Sequence, residues 1–297
     1  MSHTEQAPVF RLETLPAGFH FVATPIGTAR DITLRGLDIL ASADVIAAED
    51  TRTARHLMEL HGIPLGGRPM VAYHDHNGAS QRPRLLRMAQ EGRSIAYVSE
   101  AGTPLVADPG YQLGRAAIEA GVMVTCAPGP SAVLAALTLS GLPSDRFLFA
   151  GFPPAAAGAR RSWLDGLAGS DATLLLFESP KRISRLLGEL VQSFGGDREA
   201  AVCRELTKRF EEVERGTLAD LAERLSERSL KGEIVLVIDR AQHREAAPED
   251  VEAALREALG RLTVKEASAE LAGVYGLKRR DVYQMALQMK QEGKDEG

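Results

Sequence analysis

A chain of 297 residues, 44% hydrophobic and 25% charged, holds enough apolar material for a sizeable core and is longer than one ordinary domain, which predicts two compact units with an appendage. A formal net charge of −5 excludes a uniformly basic nucleic-acid binder, and two cysteines outside any CxxC pattern exclude a disulfide frame or a zinc knuckle. No apolar run reaches the roughly 18 residues that span a bilayer. The start, MSHTEQAPVF, lacks the basic and apolar regions of a signal peptide, so a soluble cytoplasmic protein with no membrane partner is expected.

After an N-terminal tail (1–18), residues 19–128 alternate apolar runs with helical patterns. FHFVAT, DVIAAE, MVAY, SIAYVS and VMVTCAP read as strands. Between them TLRGLDILASA, TARHLMELHG, SQRPRLLRMAQEG and PGYQLGRAAIEAG carry apolar residues at spacings of three and four. Strands separated by helices imply crossovers and a mostly parallel sheet, giving an N-terminal α/β domain over 19–130. A Ser-capped helix from Ser131 to Leu139 then opens a second α/β domain, 131–240, with FLFAGF, ATLLLFES, EAAVCREL and EIVLVID as strands. Cys126 and Cys203 fall inside such runs and read as buried, inert thiols. From 241 to 297 the strand pattern ends; VKEASAELAGVY, a turn at Gly276 and KRRDVYQMALQM form a helix-turn-helix-like extension or a small helical cap.

Three loops share one grammar. ATPIGTARD (23–31), SEAGTPLVADPG (99–110) and APGPSA (127–132) each follow a predicted strand and carry closely spaced glycine and proline. In an open parallel sheet the loops at the carboxyl ends of strands line the ligand crevice, so these three should converge. Glycine allows close backbone approach, proline stiffens, and Thr24, Thr28, Ser99, Thr103 and Ser131 add hydroxyls. There is no G-x-G-x-x-G after the first strand, no P-loop and no G-x-S-x-G elbow. His74, Asp75 and His76 lack a further ligand at recognisable spacing, so no metal is expected.

VATPIGTARDITLRGLDIL, AAEDTR, YHDHN, VSEAGTPLVADPGY, PGPSAVLAALTLSGLPSDRFLFAGF, FESPKRI, RELTKRFEE and KGEIVLVI, in that order, closely resemble the ribosomal RNA small subunit methyltransferase I branch of the tetrapyrrole methylase superfamily. The resemblance covers roughly residues 19–240, and the helical tail fits the same branch. It implies two α/β domains with a cofactor cleft between them, S-adenosyl-L-methionine as cofactor, no metal, a homodimer, and 2'-O-methylation of a decoding-site cytidine in 16S rRNA within the small ribosomal subunit. Carried over by motif, the cofactor residues are Pro25, Ser99, Ala101, Gly102, Thr103, Pro104 and Val106, then Ser131 and Ala132, then Phe177, Glu178 and Ser179, with Leu206. Where that branch typically reads G-N-L-G-D, V-S-D-A-G-T-P and S-P-H-R, this chain has Thr28 to Arg30, Glu100 and Lys181. Lys181 keeps a donor at that position but makes it cationic, which puts a titrating base there in doubt.

An activated methyl needs an acceptor oxygen held in line, and a weakly acidic hydroxyl needs a base or a stabilising cation. Candidates are Glu49, Asp50, Arg52 and Glu100, with His74, Asp75, and Glu205 beside Lys208 also open; Asp50 and Arg52 read equally as a structural ion pair. Arg30, Arg52, Arg160, Arg161, Lys181, Arg182 and Lys208 are candidates for gripping RNA, and Lys278, Arg279 and Arg280 form a further basic cluster. The alternatives are a C-methyltransferase acting on a tetrapyrrole in the same cleft, and a non-catalytic RNA-binding protein.

Overall fold

The computed structural model describes residues 8–241, 248–275 and 277–295. The chain divides into one compact unit ending at Arg240 and a second beginning at Ala241. The first unit holds two five-stranded sheets.

The first sheet is β1 (Gly18–Val22), β2 (Val45–Ala48), β3 (Met70–Ala72), β4 (Ser94–Val98) and β5 (Val124–Ala127), ordered β3-β2-β4-β1-β5 with every pair parallel. Its connecting helices are α1 (Leu34–Ser42), α2 (Thr51–Leu60), α3 (Gly78–Gln90) and α4 (Tyr111–Glu119). Side chains alternate across the strands. Val22, Ile46, Ala48, Ala96 and Val98 pack with Leu37, Leu40, Ala54 and Met58 from α1 and α2. Phe19, Phe21, Ala47, Ile95 and Tyr97 pack with Leu85 and Leu113 from α3 and α4. Neighbouring β1 and β4 thus send their following helices to opposite faces, which makes the gap beyond their carboxyl ends the topological switch point of the sheet.

Cys126 is exposed, against the expectation of a buried thiol: β5 is an edge strand, and its cover, which reaches Val124 on the same face, does not extend over Cys126. Cys203, in the interior of the second sheet, is buried as expected.

The second sheet is β6 (Phe147–Gly151), β7 (Thr173–Glu178), β8 (Glu199–Arg204), β9 (Glu212–Thr217) and β10 (Ile234–Ile238), ordered β6-β7-β10-β8-β9. Only β6–β7 is parallel; the other pairs are antiparallel. Strand β9 carries no apolar run in its sequence, EVERGT, because it is an edge strand held by charge. Glu212 pairs with Arg204 and Arg228, and Glu214 with Arg224 and Arg228. One face of this sheet is covered by α5 (Ala132–Ser140), the other by α6 (Ala157–Leu167), α7 (Ile183–Phe194) and α8 (Leu218–Leu225). Helix α8 starts in a capping box, the Thr217 hydroxyl accepting from the Asp220 amide and the Asp220 carboxylate from the Thr217 amide.

The second unit is three helices, α9 (Pro248–Leu259), α10 (Val264–Tyr275) and α11 (Arg279–Asp295), packed through Leu255, Ala258, Ala267, Leu271, Val282 and Ala286. Thr263 and Glu266 cap α10 reciprocally. The two helices expected from periodicity are α10 and α11; the turn at Gly276 lies outside the described residues.

Among the described residues no helix is long and apolar enough to cross a membrane. Central strand β10 is buried along its whole length, Leu236 facing α6–α8 and Val235 and Val237 facing α5. Leu236→Ala should therefore cost about 2–5 kcal/mol, read as a lower urea midpoint at unchanged slope; a loss below about 1 kcal/mol would mean that this face repacks freely.

Candidate functional site

The three Gly/Pro loops meet. Thr24 and Gly102 exchange backbone hydrogen bonds, Thr24 N–H to Gly102 O at 2.9 Å and Gly102 N–H to Thr24 O at 3.0 Å, tying the loop after β1 to that after β4. The Thr103 hydroxyl donates to the Pro130 carbonyl at 2.8 Å, which adds the loop after β5. Ser131, at the end of that third loop, caps α5 with its hydroxyl toward the Leu134 amide.

A fourth segment, 205–208 from the second sheet, closes on the first loop. The Thr28 amide donates to the Thr207 hydroxyl at 3.1 Å and the Thr28 hydroxyl to the Thr207 carbonyl. Gly27 permits this approach, since a Cβ there would stand 2.6 Å from both Lys208 Cγ and Thr207 Oγ1. Beneath lies an apolar floor of Val133, Ala136, Cys203 and Leu206, with Ile26, Val106, Ala132 and Phe177 against it. Phe177 stacks edge-to-face on Phe149 and Phe152, at 4.8 and 5.4 Å between ring centres.

Backbone strain gathers here. The four non-glycine residues with positive φ among the described residues are Leu105 (72°), Ala107 (60°), Glu205 (52°) and Thr207 (60°), all in the second and fourth of these segments. Such conformations cost of order 1–3 kcal/mol each and persist only where surroundings impose them. The Tyr97 hydroxyl donates to the Pro109 carbonyl at 2.7 Å, and burial pushes that phenol up, so it remains a donor. Gly110 turns with φ +120° where a Cβ would meet Leu105 Cδ2 at 2.7 Å and the Tyr97 hydroxyl at 3.0 Å.

The carboxylates separate into two kinds. Asp50 accepts from the Arg52 and Thr53 amides as the cap of α2 and pairs with the Arg52 guanidinium at 2.8 Å; the Arg52 bonds hold its pKa down to about 2. A carboxylate so stabilised is a weak proton acceptor, and Asp50 stands in the ion pair with Arg52 that is the other reading of these two residues. Glu205 is likewise lowered, chiefly by its bond to Lys208. Asp108, which the sequence showed only as loop punctuation, is pushed up to about 6 by burial first and the charge of Glu49 second, with a bond to the Ser99 hydroxyl drawing it partly back and Glu100 adding to the rise. Glu49 Oε2 accepts from the Glu100 amide at 3.0 Å, so the ends of β2 and β4 bring Glu49, Glu100 and Asp108 into one electrostatic group. Its place between Ala107 and Pro109 in a Gly/Pro loop is visible in the sequence; its half-burial, the left-handed Ala107 beside it and its raised pKa belong to the fold.

The YHDHN loop is organised by Asn77, whose side chain accepts from the His74 amide and donates to the Ala72 carbonyl. Among the described residues no group of three or more His, Cys, Asp or Glu is placed to hold a metal ion.

The cations expected to meet RNA also separate. Arg160 is 1% exposed and makes a bidentate pair with Glu189 at 2.6 and 2.7 Å plus bonds to the Pro154 and Ala155 carbonyls; it is a buried strut, not a phosphate ligand. Arg182 bonds Glu178 and the Pro153 carbonyl, and Lys208 is held at 2.9 Å by both Glu205 and Glu233, so these guanidinium and ammonium groups are engaged within the protein. The Glu178 carboxylate, expected at the cofactor, turns instead to the α7 side with Leu174 and Leu176, because alternation along β7 puts only Leu175 and Phe177 on the α5 floor. Arg30, Arg161 and Lys181 are exposed, and the Arg52 side chain is 91% exposed despite its pair.

Residues 18–222 match a family profile described as Tetrapyrrole (Corrin/Porphyrin) Methylases, and residues 245–290 one described as RsmI C-terminal HTH domain. Among similar relatives, the ribosomal RNA small subunit methyltransferase I of Mesorhizobium japonicum is 46% identical over 93% of both chains. Those of Mycobacterium tuberculosis and Escherichia coli O157:H7 are 44% and 40% identical, each over 91% of this chain and 94% of the relative. Solved structures with this fold include a uroporphyrin-III-C-methyltransferase from Thermus thermophilus (TM-score 0.54, 22% identity, 76% of this chain and 95% of that one). The methyltransferase CobJ is another (TM-score 0.58, 20% identity, 76% and 95%).

The raised Asp108 has a stability consequence. Its folded pKa of about 6 lies above the unfolded value, so the native state disfavours its charge above that pH and recovers stability as pH falls through about 6. Asp108→Asn should raise the melting temperature relative to wild type at about pH 8 and lose most of that advantage by about pH 4.5, the rest going below the unfolded pKa. A pH-independent difference between the two melting curves would contradict the assignment.

Proposed function

This chain belongs to the ribosomal RNA small subunit methyltransferase I branch of the tetrapyrrole methylase family, and from that membership we propose that it methylates 16S rRNA in the small ribosomal subunit, on the 2'-hydroxyl of a decoding-site cytidine. The observation that carries the substrate class is the likeness to named rRNA methyltransferases over nine-tenths of the chain, helical unit included.

The methyl donor of the family is S-adenosyl-L-methionine, which supplies a sulfonium-activated methyl group. The converging loops suit such a group. Thr24, 3% exposed, has a buried hydroxyl with no hydrogen-bond partner at their meeting point, and the floor below offers apolar area for a heterocycle. In this reading Pro25 and the loop 99–106 supply backbone contacts from Ser99, Ala101, Gly102, Thr103, Pro104 and Val106. Ser131 and Ala132 add the start of α5, and Phe177, Ser179 and Leu206 close from the second sheet, with Glu178 contributing main chain only. The two sheets then form the α/β domains 19–130 and 131–240 that flank the cleft.

The acceptor hydroxyl must be held in line and relieved of its proton. Among the carboxylates at these strand ends the candidate for that proton is Asp108, half-buried near Glu49 and Glu100 and raised in pKa, whereas Asp50, held low by Arg52, is the weaker acceptor. Exposed Arg30, Arg52, Arg161 and Lys181 are available to orient phosphates. A homodimer and a cytoplasmic setting complete the reading.

The test is transfer of labelled methyl from S-adenosyl-L-methionine to purified small subunits, with naked 16S rRNA and a precorrin as parallel acceptors. Label is expected on one decoding-site cytidine, making its 3'-phosphodiester resistant to alkali. Asp108→Asn should lower kcat by about 10²–10⁴ while leaving calorimetric donor binding intact. Label on the precorrin alone would replace the RNA reading with tetrapyrrole methylation.

A further inference from the structure

Three consecutive cations, Lys278 just before helix α11 and Arg279 and Arg280 as its first two residues, are all exposed. The Lys278 carbonyl accepts from the Asp281 amide at 2.8 Å and from the Val282 amide at 3.3 Å, so the three lie at the very start of the helix. That end of a helix carries the positive pole of the backbone dipole, which makes it the least favourable place on the helix for cations. Asp281 is the acidic residue in the first turn, and none of the three cations makes an ion pair among the described residues. In the same unit Arg261 pairs with Glu270 at 2.7 Å, and Glu266 is bonded to Thr263. Val282 and Ala286 turn inward to the helical core, and the three cations stay in solvent.

A cluster that the fold opposes and does not neutralise, in a chain of net charge −5, calls for an external polyanion. Helices α10 and α11 stand as the paired helices of a helix-turn-helix, in which the start of the second helix is the part that approaches nucleic acid. We propose that Lys278, Arg279 and Arg280 form a phosphate-binding face for the substrate RNA, in a part of the chain separate from the methyl-transfer loops. The proposal rests on the rRNA reading above. Its contribution is to affinity and register: phosphate contacts position a nucleic acid without reading its bases.

The experiment uses the full chain and two variants, Lys278→Gln with Arg279→Gln and Arg280→Gln, and Arg279→Glu with Arg280→Glu. Glutamate is favoured at a helix start, so the second variant keeps its circular-dichroism melt even if glutamine weakens the first. Filter binding of a 16S rRNA fragment is measured from about 50 to 200 mM salt, where each lost phosphate contact removes about 0.7–0.9 from the slope of log K against log salt. Both variants are expected to bind at least about ten-fold more weakly, with the slope reduced by about 2. Donor binding and kcat at saturating subunits should stay at wild-type values. Unchanged affinity and slope in variants of an enzyme that methylates subunits would overturn this inference alone. A wild-type chain that binds the donor but labels no RNA would overturn the reading beneath it.

Discussion

The parallel ladder joining β1 to β4 is the constraint on which the site depends. Gly18 to Val22 pair in register with Ser94 to Val98, so the two strands end side by side, yet α1 and α4 leave for opposite faces of the sheet. The loops between must part there, and neither can be shortened into a tight turn. Residues 23–31 and 99–110 leave the sheet there, because no strand pairing continues beyond Val22 and Val98 apart from the bridge between Thr24 and Gly102.

Strain is the second feature of this region. Left-handed Leu105, Ala107, Glu205 and Thr207 are held by contacts at their own loop ends. Tyr97 pins Pro109 on one side; Lys208, clamped between Glu205 and Glu233, and Thr28 pin the other. Each pin is a hydrogen bond or ion pair worth about a kilocalorie per mole, so the loops are set by the sum of several small terms over a packed floor.

Identical residue types meet different fates, whether far apart in the chain or adjacent. Asp50 is exposed enough to be solvated and sits at a helix start beside a guanidinium, so its charge is favoured; Asp108 loses water and faces Glu49, so its charge is opposed. Arg160 points into the α6–α7 interface and is consumed by Glu189, whereas its neighbour Arg161 emerges into solvent, a difference of about 100° around one helix turn.

Much was legible in the residues. The hydrophobic periodicity of both sheets, the Gly/Pro grammar of the three loops, the Ser131 cap and the helical tail are local properties, and the ordered run of motifs identified the family. Strand β9 escaped because an edge strand stabilised by ion pairs carries no apolar run, and Cys126 misled because an apolar run does not say how far along it the cover extends. The sequence by itself determined most of the segments that become strands, helices and Gly/Pro turns, since backbone preference and side-chain period are encoded within a few residues. Only the tertiary structure decided which charges remain for chemistry. Whether Arg160, Arg182, Glu178 or Asp108 is satisfied, solvated or perturbed depends on partners as far apart as Glu49 and Asp108, and desolvation has no signature in a one-dimensional string.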